Sequence, residues 1–196
     1  MKPRALARVI FRAIQTFPAI VVTGPRQSGK TTLLRTLFAK THRYVTLEDP
    51  DVRIRAKEDP LHFLELHGPP IIIDEIQYVP ELLSYIKTKI DEKRKPGQWL
   101  FTGSQNFVLM QGISQSLAGR AAVLSLLPFS YAERIGLGET TRDIRDWVKK
   151  LDLHQKSESA VSLSEVILRG NYPEIASKKA VDRQLWCSSY VATYLE

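Results

Sequence analysis

One cysteine, Cys187, stands in 196 residues, and no apolar run approaches the length of a membrane span. The single thiol excludes an internal disulfide and a cysteine-built metal cage, and makes a reducing, cytoplasmic compartment the default expectation. Four histidines (His42, His62, His67 and His154) show no ligand spacing and read as surface or boundary residues. There is no internal repeat, no low-complexity segment and no base-reading motif. Acidic residues are missing from the start: the first is Glu48, after nine lysines and arginines, so the net charge of +7 is unevenly spread. An apolar fraction of 43% against 25% charged is ordinary for a globular chain, so a sizeable core is expected.

What is present begins with an amphipathic helix over residues 1–17. Leu6, Val9, Ile10, Ala13, Ile14 and Phe17 recur at helical spacing, and Arg4, Arg8 and Arg12 form a basic edge. Three readings of that edge stand side by side: the solvated face of a docked helix, a contact for nucleic acid or another polyanion, and a transit peptide. Against the last, the stripe runs straight into a strand without a cleavable spacer.

Pro18–Thr23 is a short β-branched apolar run that reads as a buried strand, followed by a glycine-bearing turn and a helix over residues 30–40. Further strands are expected at 44–47, 71–75, 98–104 and 121–126, and short helices between 50 and 67, after Pro80, and across 107–118. Asp49-Pro50 is a helix-start signal. Continuous apolar strands alternating with helical patterns indicate a parallel sheet covered on both faces. The expected division is an α/β core over 18–135 and a helical region over 136–196, with a polar linker around 155–159. The chain stops inside a helical pattern, at Tyr190–Glu196, so the natural protein is expected to continue.

Gly24-Pro25-Arg26-Gln27-Ser28-Gly29-Lys30-Thr31 fits G-x-x-x-x-G-K-[ST] in full, with Thr32 next and with a strand before and a helix after. Successive N–H groups in such a loop converge on a phosphate, and the helix N-terminus adds partial positive charge. Lys30 is expected to reach the β- and γ-phosphates of ATP, and Thr31 to offer a hydroxyl to Mg²⁺. Asp74 closes the apolar run Ile71–Ile73, a position that points into the ligand crevice of a parallel sheet, and suits it to the same metal ion. Glu75 beside it has the chemistry to orient an attacking water and accept its proton. The guanine signature Asn-Lys-x-Asp is absent, which argues against a GTPase. Ser104, at the end of the fourth strand, is read either as a γ-phosphate sensor or as a turn former. Arg120, ahead of the fifth strand, is read either as an arginine finger acting on a neighbouring subunit or as an ordinary ion-pair partner.

Taken together these residues resemble the AAA+ ATPases. Within them the chain resembles a prokaryotic group that carries an AAA domain followed by a C-terminal domain. The matching segments are 23–32, Ile72–Gln77, Phe101–Ser104 and Ser116–Arg120, with looser matches at Pro128–Ser130, Gly170–Glu174 and Tyr194–Glu196. The resemblance implies a P-loop three-layer sandwich with a five-stranded parallel sheet in the order 5-1-4-3-2, and a helical lid. It implies Walker A at Gly24–Thr31, Walker B at Asp74-Glu75, Ser104 as the strand-four sensor and Arg120 as the finger. Two positions depart from the group: Ser28, where an apolar residue is usual, and Gly170-Asn171 in place of Gly-Gly. The group's C-terminal domain is not in this sequence.

The expected activity is ATP hydrolysis with Mg²⁺, used to move the lid, in a homo-oligomer with Arg120 acting in trans and without membrane contact. The alternatives are a nucleotide-binding switch with little turnover and a DNA-associated motor or loader using the basic N-terminal helix. A small-molecule kinase is disfavoured, since no basic and aromatic acceptor lid is identifiable.

Overall fold

The computed structural model describes residues 2–104, 112, 113, 115–134, 136 and 163–194. It divides into two compact units, one of residues 6–126 and one of residues 1–5 with 127–196.

The larger unit is built on a parallel sheet of β1 (Ala19–Gly24), β2 (Arg43–Thr46), β3 (Ile71–Asp74), β4 (Trp99–Ser104) and β5 (Ala121–Ser125), in the order β2-β3-β4-β1-β5. That is the expected order, read from the other edge. Every residue of β1, β3 and β4 is buried, which is why these strands read as unbroken apolar runs.

Alternate strand residues point to opposite faces, and each face has its own helices. On one face Ile20, Val22, Ile72 and Leu100 pack with Ala7, Ile10 and Ala13 of α1 (Leu6–Ala13) and with Leu33, Leu34 and Phe38 of α2 (Lys30–Phe38). On the other, Val21, Ile71, Ile73 and Phe101 meet α3 (Pro50–Glu58), α4 (Pro60–Leu66) and α5 (Leu82–Glu92) through Ala56, Phe63, Leu82, Leu83, Ile86 and Ile90. The helix-start signal at Asp49 works as anticipated, since its carboxylate accepts from the N–H groups of Asp51 and Val52.

The N-terminal helix is shorter than its pattern suggested. It begins at Leu6, so Arg4 lies outside it, whereas Arg8 and Arg12 are exposed on α1. Arg4 is buried and pairs with Glu133 at 3.2 Å, and its guanidinium donates to the Leu127 carbonyl at 2.6 Å. A charge read as part of an exposed edge is therefore spent inside the smaller unit, where it neutralises a buried carboxylate.

Within that unit lie α6 (Tyr131–Arg134), α7 (Leu163–Arg169), α8 (Pro173–Ser177) and α9 (Arg183–Tyr194). Arg134 donates to the Gly170 carbonyl at 2.6 Å, and the Phe129 N–H donates to the Asn171 carbonyl at 2.9 Å. The polar linker expected around 155–159 and half of the helix expected across 107–118 lie outside the described residues. Among the described residues no helix is long and apolar enough to cross a membrane.

Ile72 is fully buried in the central layer against α2. Ile72→Ala should cost about 2–5 kcal/mol, visible as a lowered urea midpoint with an unchanged slope. A midpoint within experimental error of the parent would contradict the packing described here.

Candidate nucleotide-binding site

The carboxyl ends of β1, β3 and β4 lie together because the three strands are adjacent in the sheet. Gly24 of β1 is level with Ser104 of β4, and Ile73 of β3 with Phe101 of β4. A loop leaving β1 and two carboxylates leaving β3 therefore flank the end of β4, in the crevice where parallel sheets bind ligands.

The loop turns through backbone conformations that side chains resist. Gly24 has φ 142°, and a Cβ there would stand 2.2 Å from the carbonyl oxygen of Leu126. Gly29, at φ 93°, caps the start of α2, and Gln27 is left-handed at φ 59°. Between them Pro25, Arg26 and Gln27 form the outer turn, with Arg26 and Gln27 exposed and Ser28 buried. Lys30 folds back over the loop, its ammonium donating to the carbonyls of Gly24 and Pro25 at 3.0 and 2.9 Å. Burial lowers its pKa; Glu75 and Asp74 pull it back up, and Arg26 adds to the lowering. The loop therefore holds a cation whose charge is under-compensated, which suits a polyanionic ligand.

Asp74 is the meeting point of the site. Its Oδ1 accepts from Thr31 Oγ1 at 2.7 Å and from the Thr102 hydroxyl, while Oδ2 accepts from Tyr44 OH at 2.9 Å. Burial, reinforced by the bond to Asp74, pushes the Tyr44 hydroxyl up to about 12. Thr102 also accepts from the Glu75 N–H at 3.1 Å, so one hydroxyl touches both acidic residues. Glu75 itself is left-handed at φ 54°, an uncommon conformation for a residue with a side chain, and opens a 3₁₀ turn over Ile76–Tyr78. Gln77 in that turn donates from Nε2 to Glu75 Oε2. A cavity of about 170 Å³ beside the loop is lined by Arg26, Gln27, Glu48, Glu75 and Tyr78.

Among the described residues no group of three or more His, Cys, Asp or Glu side chains converges to hold a metal ion. A hydroxyl beside one carboxylate, as in Thr31 and Asp74, nevertheless suits Mg²⁺, which draws most of its ligands from water and phosphate. The Ser104 hydroxyl is buried without a hydrogen-bond partner among the described residues. It is a polar atom at the floor of the crevice, available to a ligand or to water.

A family profile described as an AAA domain matches residues 16–135. The chain belongs to the AAA-domain family. This AAA domain is 30% identical over 196 residues to an uncharacterized protein of Mycobacterium tuberculosis and to one of Mycobacterium bovis. The match takes in 98% of the chain and spans 38% of the length of either relative. Among solved structures, the Walker-type ATPase PABY2304 of Pyrococcus abyssi shares the fold, with a TM-score of 0.54 at 17% identity, over 96% of this chain and 71% of that one.

Gly24–Thr32, Asp74, Glu75 and Ser104 are thus gathered at one end of the AAA-domain sheet. Arg120 is not with them. Its carbonyl accepts from the N–H of Ala19, the first residue of β1, so it lies roughly 17 Å down the strand from Gly24. Its guanidinium grips Asp91 with two bonds, at 2.7 and 2.8 Å. Tyr44 and Thr102 were not anticipated as site residues. Thr102 carried a signal, a hydroxyl within an otherwise apolar strand, which must find a partner when buried. Tyr44 carried none, since its partner is 30 residues away in sequence.

Because the buried Lys30 binds its proton less tightly in the folded chain than in the unfolded one, its charge works against folding at neutral pH. Lys30→Met should melt at or above the parent temperature without nucleotide, and ATP should raise its melting temperature less than it raises that of the parent. A Lys30→Met protein still stabilised by ATP to the parental extent would remove Lys30 from the site.

Proposed function

We propose that this AAA domain binds ATP with Mg²⁺ and hydrolyses it through in-line attack of a water oriented by Glu75. The observation that carries the reading is the convergence of the Gly24–Thr31 loop, the Asp74 carboxylate and Glu75 on one crevice. Lys30 and the loop N–H groups bind the phosphates and compensate their charge, while Ser104 offers a hydroxyl toward the water or the γ-phosphate. Thr31 and Asp74 would hold Mg²⁺, which supplies electrostatic stabilisation of the phosphate oxygens when bound. Glu75 takes the proton of the water as it attacks. The helices of residues 163–194 would move in response to turnover, as the expected lid.

Arg120 fits a role between chains better than one within its own chain, since β1 separates it from its own loop. Asp91 holds the guanidinium with two bonds, and a neighbouring loop would have to compete for it. The same observation supports a second reading: a lone chain, lacking that charge at its own crevice, acts as an ATP-binding switch with little turnover.

Two experiments separate these. Glu75→Gln should bind ATP with parental affinity and lose about 100-fold or more in kcat, whereas full activity in this variant would remove Glu75 as the base. Turnover per chain should rise with protein concentration, and mixtures of Lys30→Ala with Arg120→Ala chains should regain activity that neither has alone. Nucleotide binding without turnover at any concentration would favour the switch.

A further inference from the structure

We propose that Gln77 is a positioning residue for the water-activating carboxylate, holding the Glu75 side chain in place through Oε2 and leaving Oε1 to meet the water. The inference rests on the ATP-hydrolysis reading and adds to it a residue outside the loop and the acidic pair.

The local backbone explains why Gln77 can do this. Glu75 sits in the left-handed region at φ 54°, its N–H held by Thr102 at 3.1 Å, and the chain then closes a 3₁₀ turn in which Tyr78 N donates to the Glu75 carbonyl at 3.1 Å. Residues two apart in a strand would face the same side some 7 Å from each other. The tight turn instead brings the Gln77 amide onto the Glu75 carboxylate, where Nε2 donates to Oε2. Ile76 and Val79, both fully buried, anchor the turn on either side of Gln77. Beyond it, Tyr78 lies beneath the Arg53 guanidinium at 4.8 Å, so the segment is pinned from outside as well.

The second observation concerns the rest of the amide. Gln77 Oε1 is buried and has no hydrogen-bond partner among the described residues. No competing donor there selects the orientation of the amide, so its bond to Glu75 is what sets it.

A carboxylate that must receive a proton from one water needs a fixed rotamer, because misplacement by about 1 Å can cost on the order of 100-fold in rate. With Oε2 occupied by Gln77, Oε1 is the basic atom. Glu75 lines the cavity of about 170 Å³ together with Arg26, Gln27, Glu48 and Tyr78. Gln77 thereby acts on the reaction through Glu75 and not through the nucleotide.

The test is single-turnover and steady-state ATP hydrolysis by the full chain, comparing Gln77→Met, which keeps the length of the side chain without a donor, with Glu75→Gln and the double variant. Gln77→Met should lower kcat by about ten- to a hundredfold while KM and ATP affinity stay within twofold of the parent. The double variant should be no slower than Glu75→Gln alone, because the two residues act as one unit. Gln77→Lys, which restores a donor, should recover part of the rate. A parental kcat in Gln77→Met would overturn the assignment, and so would an equal loss of ATP affinity and kcat, or additive losses in the double variant. Absence of turnover in the parent at any protein concentration would instead bring down the hydrolysis reading, whereas parental turnover in Glu75→Gln would remove Glu75 as the base; either outcome takes the role of Gln77 with it.

Discussion

The carboxylate of Asp74 holds the crevice together. It ends β3 and accepts hydrogen bonds from three hydroxyls that arrive on three other elements: Thr31 on α2, Tyr44 on β2 and Thr102 on β4. A buried carboxylate is costly unless its oxygens are satisfied, so the helix after the phosphate-type loop and two neighbouring strands are drawn to one point. Thr102 extends the arrangement by accepting from the Glu75 N–H, which fixes the backbone of the second acidic residue in its left-handed turn. The Asp74 carboxylate is thus oriented by hydroxyls rather than by cations, and the Glu75 backbone is held by one of the same hydroxyls.

Electrostatics in the loop complement this. Lys30 is buried and rests on two backbone carbonyls, at 3.0 and 2.9 Å, and burial depresses its basicity despite the two nearby carboxylates. A cation held this way retains charge that an arriving polyanion could compensate. The loop's geometry also leaves little tolerance. A side chain at Gly24 would run into the Leu126 carbonyl, so the segment following β5 is packed directly against the phosphate-type turn. The larger unit thereby carries the loop, both carboxylates and the Ser104 hydroxyl on one rigid sheet, with fully buried strands beneath them.

Arg120 shows a different logic. It sits at the opposite end of β1 from the loop and its guanidinium is taken by Asp91 in a bidentate pair. Such a pair between partly exposed groups is weak in stability terms, so the arginine can be drawn away by a better anion at modest cost. One chain brings the loop, both carboxylates and the hydroxyls together at one end of the sheet, and Arg120 stands apart from them.

Much of this was legible in the residues. The unbroken apolar runs of β1, β3 and β4 announced buried parallel strands, because a strand covered on both faces has no polar side to show. The Gly24–Thr31 spacing announced the loop, since its chemistry is carried by backbone N–H groups that glycine positions dictate locally. Asp74 and Glu75 were readable because a carboxylate closing an apolar strand has one place to go. What the tertiary structure alone decided lies in contacts between distant parts of the chain. Arg4 looked like one of three helix-edge charges and is instead buried against Glu133, 129 residues away. Tyr44 reaches Asp74 across 30 residues, and Arg120 finds Asp91 across 29. Periodicity and spacing report what a segment does with its neighbours in sequence, whereas the partner of a polar side chain is set by which strands and helices the folded sheet brings together.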